Sequence, residues 1–269
     1  MKCHEYNRGG VEPVKDFPRV SACVVLYRSG EQALETLQCL EDSRPRPEIF
    51  VVDNHSGDGL AARVAERFPD IRLLPQAENL GFGRGNNVVL PLLHSEYHLL
   101  CNPDVTFPPE LLDRMTAWMD AHPEAVILTP RVMNQDGTEQ FLPKGEITVR
   151  HLLGGRLERL GGRFRRWRRE FTLADAQVTG PRKVHFATGC FLLIRTEAFR
   201  TLRGFDPRFF LYQEDSDLSR RAEQLGDIVY HPDMVVTHAW ARENTRTLRG
   251  NLRQVRSICQ YFHKWGWKW

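Results

Sequence analysis

The first 75 residues alternate short apolar runs with helical segments, and this alternation constrains the fold more than any other feature of the sequence. Residues 20–27 (VSACVVLY) form a nearly continuous apolar run, typical of a strand buried on both faces. Residues 49–52 (IFVV) predict a second buried strand, and residues 71–74 (IRLL) predict a third strand. Between them, residues 31–40 carry apolar side chains at helical spacing, and a turn at 56–59 leads into a helix that runs through Phe68. Strands that alternate with helices predict an α/β fold with a parallel sheet and right-handed crossovers.

Size and composition indicate an ordinary globular protein. A chain of 269 residues forms one large domain or two small ones, and we find no internal repeat or low-complexity linker, so we interpret it as one domain with an elaborated second half. The net charge of +3 is too small to indicate nucleic acid by itself. Residues 1–10 lack the apolar core of a signal peptide, and no apolar run is long enough to span a bilayer. We therefore expect a soluble, cytoplasmic protein, or one that is peripheral to the inner face of the plasma membrane.

The cysteines favour a reduced protein. No two have the C-x-x-C spacing, and three lie in apolar runs, so buried thiols are expected rather than disulfides or a zinc site. The six are Cys3, Cys23, Cys39, Cys101, Cys190 and Cys259.

A polar corner follows the apolar run at residues 97–101. Pro103 has no backbone N–H, so the strand cannot continue through Asn102-Pro103-Asp104. Asp104 is therefore expected just beyond the carboxyl end of a strand, where ligands bind in open α/β sheets. It could hold a hard cation there, or the segment could be only a turn in which Asp104 caps a helix.

A glycine-rich loop at residues 78–87 follows the third strand. Its glycines let the backbone approach a ligand closely, and its N–H groups with Arg84 could meet a phosphate. Gly81 and Gly83 begin a G-x-G-x-x-G pattern, but Asn86 ends it, so we reject a dinucleotide site. A glycine turn with an Asn cap is the alternative.

Three carboxylates, Glu214, Asp215 and Asp217, open a helix predicted at 214–225 after an aromatic loop. Acidic residues complement the helix dipole, but like charges this close also raise one another's pKa, which suits a general base or a metal ligand. His238 follows a short strand; a lone histidine is usually structural, but together with Asp104 it would suit Mn²⁺ or Mg²⁺.

Taken together, these motifs carry a resemblance. Their order along residues 20–238 resembles family 2 glycosyltransferases, most of all the bacterial rhamnosyltransferase-like enzymes of O-antigen, capsule and cell-wall synthesis. The motifs are VVDNHSGDG, ENLGFGRGNN, LLCNPDV, ATGCFLLIR, GFDPRFFLYQEDSDLSRR and the late His238.

The resemblance implies a GT-A fold, similar to nucleotide-diphospho-sugar transferases, and inverting transfer from a nucleotide-sugar. Asp215 matches the general base, with Glu214 beside it, while Glu214 and Asp217 are expected to orient the site or to bind sugar. Asp104 is the one carboxylate of the family's D-x-D motif that this chain keeps, and it matches a ligand of Mg²⁺ or Mn²⁺ together with His238. The expected donor-binding residues are Tyr27, Asp53, Asn79, Gly81, Gly83, Asn87, Asn102 and Asp104.

Residues 150–170 and the Trp-rich segment 263–269 are unusual. The first contains eight arginines against two acids, with leucines and aromatics interleaved, and the second contains Trp265, Trp267 and Trp269. Both could contact an anionic membrane, and the first could bind a lipid-pyrophosphate acceptor. The alternatives are a solvated basic loop and aromatic packing against the domain or a partner subunit. A nucleic-acid interface would need a recognition motif, and none accompanies the arginines.

We accordingly predict a lead-in at 1–18, a GT-A domain at 19–245 with a basic acceptor-side insertion at 150–183, and a helix with the Trp-rich segment at 246–269. The predicted activity is metal-dependent, inverting glycosyl transfer to a hydroxyl of a glycan or lipid-linked acceptor in bacterial surface polysaccharide synthesis. The resemblance favours dTDP-rhamnose as donor, with UDP- or GDP-sugars as alternatives.

Two other functions are weighed against this prediction. A non-catalytic subunit that binds nucleotide-sugar or glycan would not need both Asp104 and Asp215. A nucleotidyltransferase would need a glycine-rich loop after the first strand, where residues 27–30 contain one glycine.

Overall fold

The computed structural model describes residues 17–176, 178–239 and 248–269. Its first half alternates strands and helices as predicted. The elements are β1 (Val20–Leu26), α1 (Gln32–Glu41), β2 (Glu48–Asp53), α2 (Leu60–Arg67), β3 (Arg72–Pro75), α3 (Phe82–Asn87), β4 (Tyr97–Cys101), β5 (Val105–Thr106), α4 (Leu111–Ala121) and β6 (Ala125–Met133).

The second half is more irregular and contains most of the helices that sequence patterns left unassigned. Its elements are α5 (Val149–Leu157), α6 (Gly162–Thr172), β7 (Arg182–Lys183), β8 (Phe191–Arg195), α7 (Thr196–Thr201), α8 (Glu214–Ala222), β9 (Asp227–His238) and α9 (Leu248–Trp265). No helix in the described ranges is both long enough and apolar enough to cross a bilayer.

All nine strands of the described chain form one sheet in the order β3-β2-β1-β4-β8-β6-β9-β5, with β7 also paired to β9. β1, β2, β3, β4, β6 and β9 run in one direction, and β5, β7 and β8 run against them. The predicted α/β class with a mostly parallel sheet is confirmed.

β1, β2 and β4 are buried on both faces, as their apolar runs predict, whereas the edge strand β3 is partly exposed. Val24 and Leu26 pack into a core cluster with α1 and α4, while Cys23 packs into a second cluster with α7 and α8. The register aligns Leu26 with Asp53 and Val24 with Cys101, so β1, β2 and β4 end at the same edge of the sheet.

Three elements differ from the sequence prediction. The helix expected up to residue 95 ends at Asn87, because Gly83 and Gly85 weaken it and Pro91 cannot continue it. The strand expected at 184–195 is shortened to β8, which begins only at Phe191, after Gly189 interrupts the extended segment. The strands expected at 228–230 and 235–238 are one strand, β9, whose register with β6 shifts between Pro130 and Arg131.

The basic stretch 150–170 is a helical hairpin, not an irregular loop. α5 and α6 approach closely at Gly154, where a Cβ would lie 2.9 Å from the Trp167 Cβ. The hairpin packs on α9 through a third core cluster that includes Phe171, Tyr261 and Phe262. It therefore forms an accessory layer with α9.

Asp217 joins α9 to the main domain. Its fully buried carboxylate accepts hydrogen bonds from Arg221 Nε at 2.8 Å and Trp265 Nε1 at 2.8 Å, and it pairs with Lys264 Nζ at 2.6 Å. Of the two roles expected for Asp217, orienting the site or binding sugar, sugar binding does not fit, because these three donors surround the carboxylate. Trp265 is correspondingly part of the packing and not a free interfacial anchor.

The buried thiols are confirmed, since Cys23, Cys101 and Cys190 are buried and free. Cys3 and most of the lead-in predicted at 1–18 lie outside the described residues. The domain boundary predicted at 245–246 also lies outside them, so these divisions stay predictions.

Candidate active site

Tyr27 and Asp53 lie side by side at the carboxyl edge of the sheet. Asp53 is the last residue of β2 and pairs in register with Leu26, directly before Tyr27. Asp53 Oδ1 accepts a hydrogen bond from the Ser56 N–H at 3.1 Å, which fixes the carboxylate at the turn after β2. The Tyr27 ring is exposed beside it.

The glycine-rich loop is held to this edge by its backbone. Asn54 Nδ2 donates to the Gly81 carbonyl at 2.9 Å, and Asn79 Oδ1 accepts from the Gly81 N–H at 2.8 Å. Gly81 has φ +80°, and a Cβ there would lie 2.0 Å from the Phe210 carbonyl oxygen. Only glycine fits this position.

Gly83 and Asn87 face the second half of the chain. A Cβ on Gly83 would lie 2.9 Å from the Phe205 Cβ. The Asn87 amide binds the Phe205 backbone in both directions: Oδ1 accepts from the N–H and Nδ2 donates to the carbonyl, each at 2.8 Å. The side-chain hydrogen bonds of Asn87 thus hold the segment that leads into α8, which the sequence did not anticipate.

Asp104 and His238 come together as the sequence suggested. β5 pairs with β9 so that Val105 faces His238 in register, and Asp104 Oδ1 then lies 3.2 Å from His238 Nε2. Asn102 Nδ2 lies 3.4 Å from the same nitrogen. These three side chains form one polar group at the corner after β4.

Gln140 fixes the orientation of the His238 ring. Its Nε2 donates to the His238 carbonyl at 2.7 Å, so its Oε1, 3.1 Å from Nδ1, accepts the Nδ1 proton. The ring Nε2 then faces Asp104 Oδ1 at 3.2 Å. Such a pair forms a hydrogen bond when Nε2 carries a proton, and without that proton the imidazole nitrogen and the carboxylate oxygen are ligand types that suit a divalent metal. No third His, Cys, Asp or Glu joins such a group within the described ranges.

Asp215 stands in the first turn of α8 and is half-buried. Its Oδ2 accepts from the Gly189 N–H at 3.2 Å, and its Oδ1 accepts from the Ser216 N–H at 2.8 Å. Burial raises the pKa of this carboxyl, and the two N–H donors oppose the rise. These hydrogen bonds fix the orientation of the carboxyl group of a half-buried residue.

The turn at Gly189 and Cys190 connects Asp215 to the corner that carries Asp104. Gly189 donates to Asp215, and the next carbonyl, that of Cys190, accepts from the Asn102 N–H at 2.8 Å. Burial, with Asp104 and Asp215 on either side, raises the pKa of the Cys190 thiol to about 12. The sequence signal for this turn is the glycine inside the strand predicted at 184–195. Gln140 has no comparable signal, because it falls where periodicity is lost.

Glu214 differs from its neighbour. It is buried against Gly83, and one of its oxygens has no hydrogen-bond partner among the described residues. Burial and the negative charge of Asp215 raise the pKa of Glu214 well above its usual range. Burial and the neighbouring charge thus favour the protonated form of Glu214, whereas the two N–H donors of Asp215 favour its charged form.

Sequence comparisons point to one family. The family described as glycosyl transferase family 2 matches residues 21–203. An N-acetylglucosaminyl-diphospho-decaprenol L-rhamnosyltransferase of Mycobacterium tuberculosis is 30% identical over 245 residues, which cover 85% of this chain and 78% of that enzyme.

Solved structures with the same fold extend the comparison. A mannosyltransferase from Pyrobaculum calidifontis, in complex with GDP-Man and Mn²⁺, has a TM-score of 0.61 at 20% identity, over 93% of this chain and 64% of that one. GalNAc-T7 with UDP, GalNAc and Mn²⁺ has a TM-score of 0.62 at 14% identity, over 91% and 48%. The chain thus spans less than two thirds of either structure, and the likeness shows the GT-A fold that the sequence predicted.

Replacing Glu214 by Gln is expected to stabilise the protein increasingly as the pH rises. A carboxyl whose pKa is raised by folding holds its proton more tightly in the native state, so its contribution to stability is lost above the unfolded pKa of about 4.3. We expect E214Q to have a free energy of unfolding about 1–3 kcal/mol above wild type at pH 8, and equal to it near pH 4. Urea unfolding at pH 4, 6 and 8 measures this.

The matched control is E197Q, which removes an exposed carboxylate in the first turn of α7. Its stability difference from wild type should not change with pH. Equal pH profiles for E214Q and E197Q would contradict the raised pKa of Glu214.

Proposed function

Since the chain belongs to glycosyl transferase family 2, we propose that this glycosyltransferase inverts the anomeric centre as it moves L-rhamnose from dTDP-rhamnose to a lipid-linked glycan in bacterial surface polysaccharide synthesis. The observation that carries the proposal is the placement of Asp104 and Asp215 on either side of the Gly189–Cys190 turn. The rhamnosyl group and the lipid-linked acceptor are inferred from the rhamnosyltransferase relative, and dTDP as the donor nucleotide is inferred from the resemblance stated above.

The donor nucleotide is proposed to lie along the carboxyl edge of β1 and β2. Tyr27 and Asp53 bind the base and the ribose, and the backbone at Asn79 and Gly81 lines the nucleotide. Gly83 and Asn87 support this site indirectly, since they hold the loop to the segment before α8. The diphosphate then reaches Asn102 and Asp104.

Asp104 and His238 would hold a divalent cation, Mg²⁺ or Mn²⁺. The position of His238 Nε2, 3.2 Å from Asp104 Oδ1, supports this assignment, as does the Mn²⁺ of the two solved structures. When bound, such an ion neutralises the charge that develops on a departing nucleoside diphosphate. Asn102 adds a neutral donor at the same corner.

Asp215 is proposed as the general base. As the acceptor hydroxyl attacks the anomeric carbon from the face opposite the nucleotide, its proton passes to the Asp215 carboxylate. The N–H groups of Gly189 and Ser216 keep that carboxylate oriented throughout. Glu214 is proposed to position the first turn of α8 without contacting the reacting atoms.

Asp215→Asn is expected to lower the turnover number by about 10²–10⁴-fold, because the amide cannot accept the acceptor proton. The KM for donor should change little. The measurement is release of nucleoside diphosphate and of glycosylated acceptor under saturating donor. D113N, an exposed carboxylate in the first turn of α4, is the matched control. Undiminished transfer by D215N would remove Asp215 from catalysis, and nucleotide binding without transfer by wild type would favour a non-catalytic subunit.

Metal and nucleotide binding are expected to be coupled at Asp104. We expect one of dTDP, UDP and GDP to raise the melting temperature, more so with Mn²⁺, because a ligand at about 100 times its Kd stabilises the native state by about 2.7 kcal/mol. D104N and addition of EDTA should abolish the Mn²⁺ increment, while D113N should retain it. A shift with UDP or GDP alone would replace dTDP-rhamnose by the corresponding donor class.

The hairpin α5–α6 and the Trp-rich segment are proposed to contact an anionic membrane. They meet where Trp167 and Trp269 pack edge to face with ring centroids 6.1 Å apart. Leu160, Trp267 and Trp269 are 71%, 67% and 71% exposed, and the exposed side of α6 is rich in arginine. Exposed aromatics beside arginines suit the interface of a bilayer with acidic lipids.

Binding to vesicles tests this contact. We expect co-sedimentation with phosphatidylglycerol vesicles and little with phosphatidylcholine alone. R163Q/R165Q should weaken binding about tenfold or more, since each basic residue contributes about 1 kcal/mol at such a surface. R67Q/R182Q removes two exposed arginines from α2 and β7 and serves as control. Equal binding to both vesicle types, or equal loss in both variants, would contradict this contact.

A further inference from the structure

A cavity of about 390 Å³ lies beside the active site, between α3 and α9. Arg84 of α3, the loop at 207–211 and one face of α9 line it. The lining residues with charged or aromatic groups are Arg84, Arg208, Phe210, Arg253 and Arg256. Nothing in the catalytic arrangement described above uses this cavity.

The cavity is strongly basic, with four arginines and no acidic residue in its lining. Arg208 is paired with Asp206 at 2.9 Å, and Arg84 lies 3.6 Å from Glu78. Arg253 stacks over the Phe210 ring at 4.9 Å. Within the described ranges neither Arg253 nor Arg256 pairs with a carboxylate, so both guanidinium groups can serve an anionic ligand. Guanidinium groups bind phosphates in a bidentate manner, and two of them suit a diphosphate.

The cavity lies on the far side of the α3 start from the edge of β2. The Gly81 carbonyl accepts from Asn54 at that edge, while the Gly81 Cα lies against the Phe210 carbonyl in the cavity wall. A nucleotide at Asp53 and a ligand of Arg253 are therefore separated by the Gly81 backbone. The cavity is thus separate from the sheet edge at which the donor nucleotide is proposed to lie.

The same wall is connected to the proposed base. Phe82 donates its N–H to the Phe210 carbonyl at 3.1 Å, and its ring lies against Gly189. Gly189 in turn donates to Asp215. Phe210 and Phe82 thus connect the cavity wall to Gly189, which orients Asp215.

α9 also exposes an apolar strip next to the arginines. Leu252 and Val255, three residues apart on the helix, are 63% and 45% exposed on the face adjoining Arg256. Exposed apolar side chains beside a basic cavity match a molecule that joins a charged head to a hydrocarbon chain.

We propose that this cavity binds the diphosphate of a lipid-linked acceptor, with the first part of its hydrocarbon chain on Leu252 and Val255. The proposal rests on the glycosyltransferase function proposed above and names the group by which the acceptor is recognised. Arg253 and Arg256 are its principal ligands, and Arg84 and Arg208 complete the positive lining.

Direct binding tests the cavity without catalysis. Inorganic pyrophosphate is titrated calorimetrically into wild type, R253Q/R256Q and the control R67Q/R182Q, all in EDTA so that no metal contributes. We expect the Kd to rise at least tenfold in R253Q/R256Q, to stay unchanged in the control, and to recover in large part in R253K/R256K. Absent binding to wild type, or equal Kd values in wild type and R253Q/R256Q, would overturn the proposal.

Kinetics with two acceptors that carry the same sugar then identify the source of the diphosphate. For N-acetylglucosaminyl diphosphate joined to a long alkyl chain, R253Q/R256Q should raise the KM at least tenfold with kcat and donor KM unchanged. For the neutral octyl N-acetylglucosaminide, the KM of R253Q/R256Q should equal that of wild type. L252S/V255S should raise the KM of the alkyl diphosphate acceptor without changing the Kd of pyrophosphate.

Other outcomes separate the two proposals. A rise in donor KM in R253Q/R256Q would assign the cavity to the donor, and equal effects on both acceptors would assign it to the sugar; either result overturns the acceptor diphosphate site. No transfer by wild type with any donor would refute the proposed function, while the pyrophosphate titration would still decide whether the cavity binds a diphosphate.

Discussion

The active site depends on a close approach of backbone to backbone at Gly81. Its carbonyl is bound by Asn54 at the end of β2, and its Cα touches the Phe210 carbonyl, where a Cβ would lie 2.0 Å away. This contact holds the loop that follows β3 against the segment that leads into α8. Any side chain at Gly81 would push the two halves apart and separate Asp53 and Asp104 from Asp215.

Three carboxylates within four residues of α8 have three different states because their surroundings differ. Asp217 is fully buried but is surrounded by Arg221, Lys264 and Trp265, so its charge is compensated. Glu214 is buried without such partners, and burial together with the charge of Asp215 raises its pKa well above the usual range. Asp215 combines backbone N–H donors with partial exposure of the residue, a combination that suits the general base proposed above.

The sequence predicted the elements whose patterns are local and missed those that depend on distant contacts. The apolar runs of β1, β2 and β4 and the Pro103 corner placed Asp53 and Asp104 correctly at one edge of the sheet. The sequence left open whether Asp217 orients the site or binds sugar, because two of its partners lie on α9, some 50 residues along the chain. Gln140 was not predicted because a single amide that orients His238 produces no periodic pattern in the sequence. The hairpin α5–α6 was not predicted because its many arginines interrupt the helical spacing of the apolar residues. The contact at Gly154 forms only when both helices are in place.

The Asp217 cluster also explains how an acceptor held by α9 could be aligned with the base. Lys264 and Trp265, near the end of α9, bind a carboxylate only two residues beyond Asp215 on α8. Arg253 and Arg256 stand on the same helix, so their positions relative to Asp215 are fixed by a buried ion pair and not by a loop. Because a small displacement of reacting groups costs much of the rate, a rigid link of this kind favours transfer to one hydroxyl of a ligand anchored at its diphosphate. The accessory layer would then select the acceptor by its anchor, and the sheet edge would select the donor by its nucleotide.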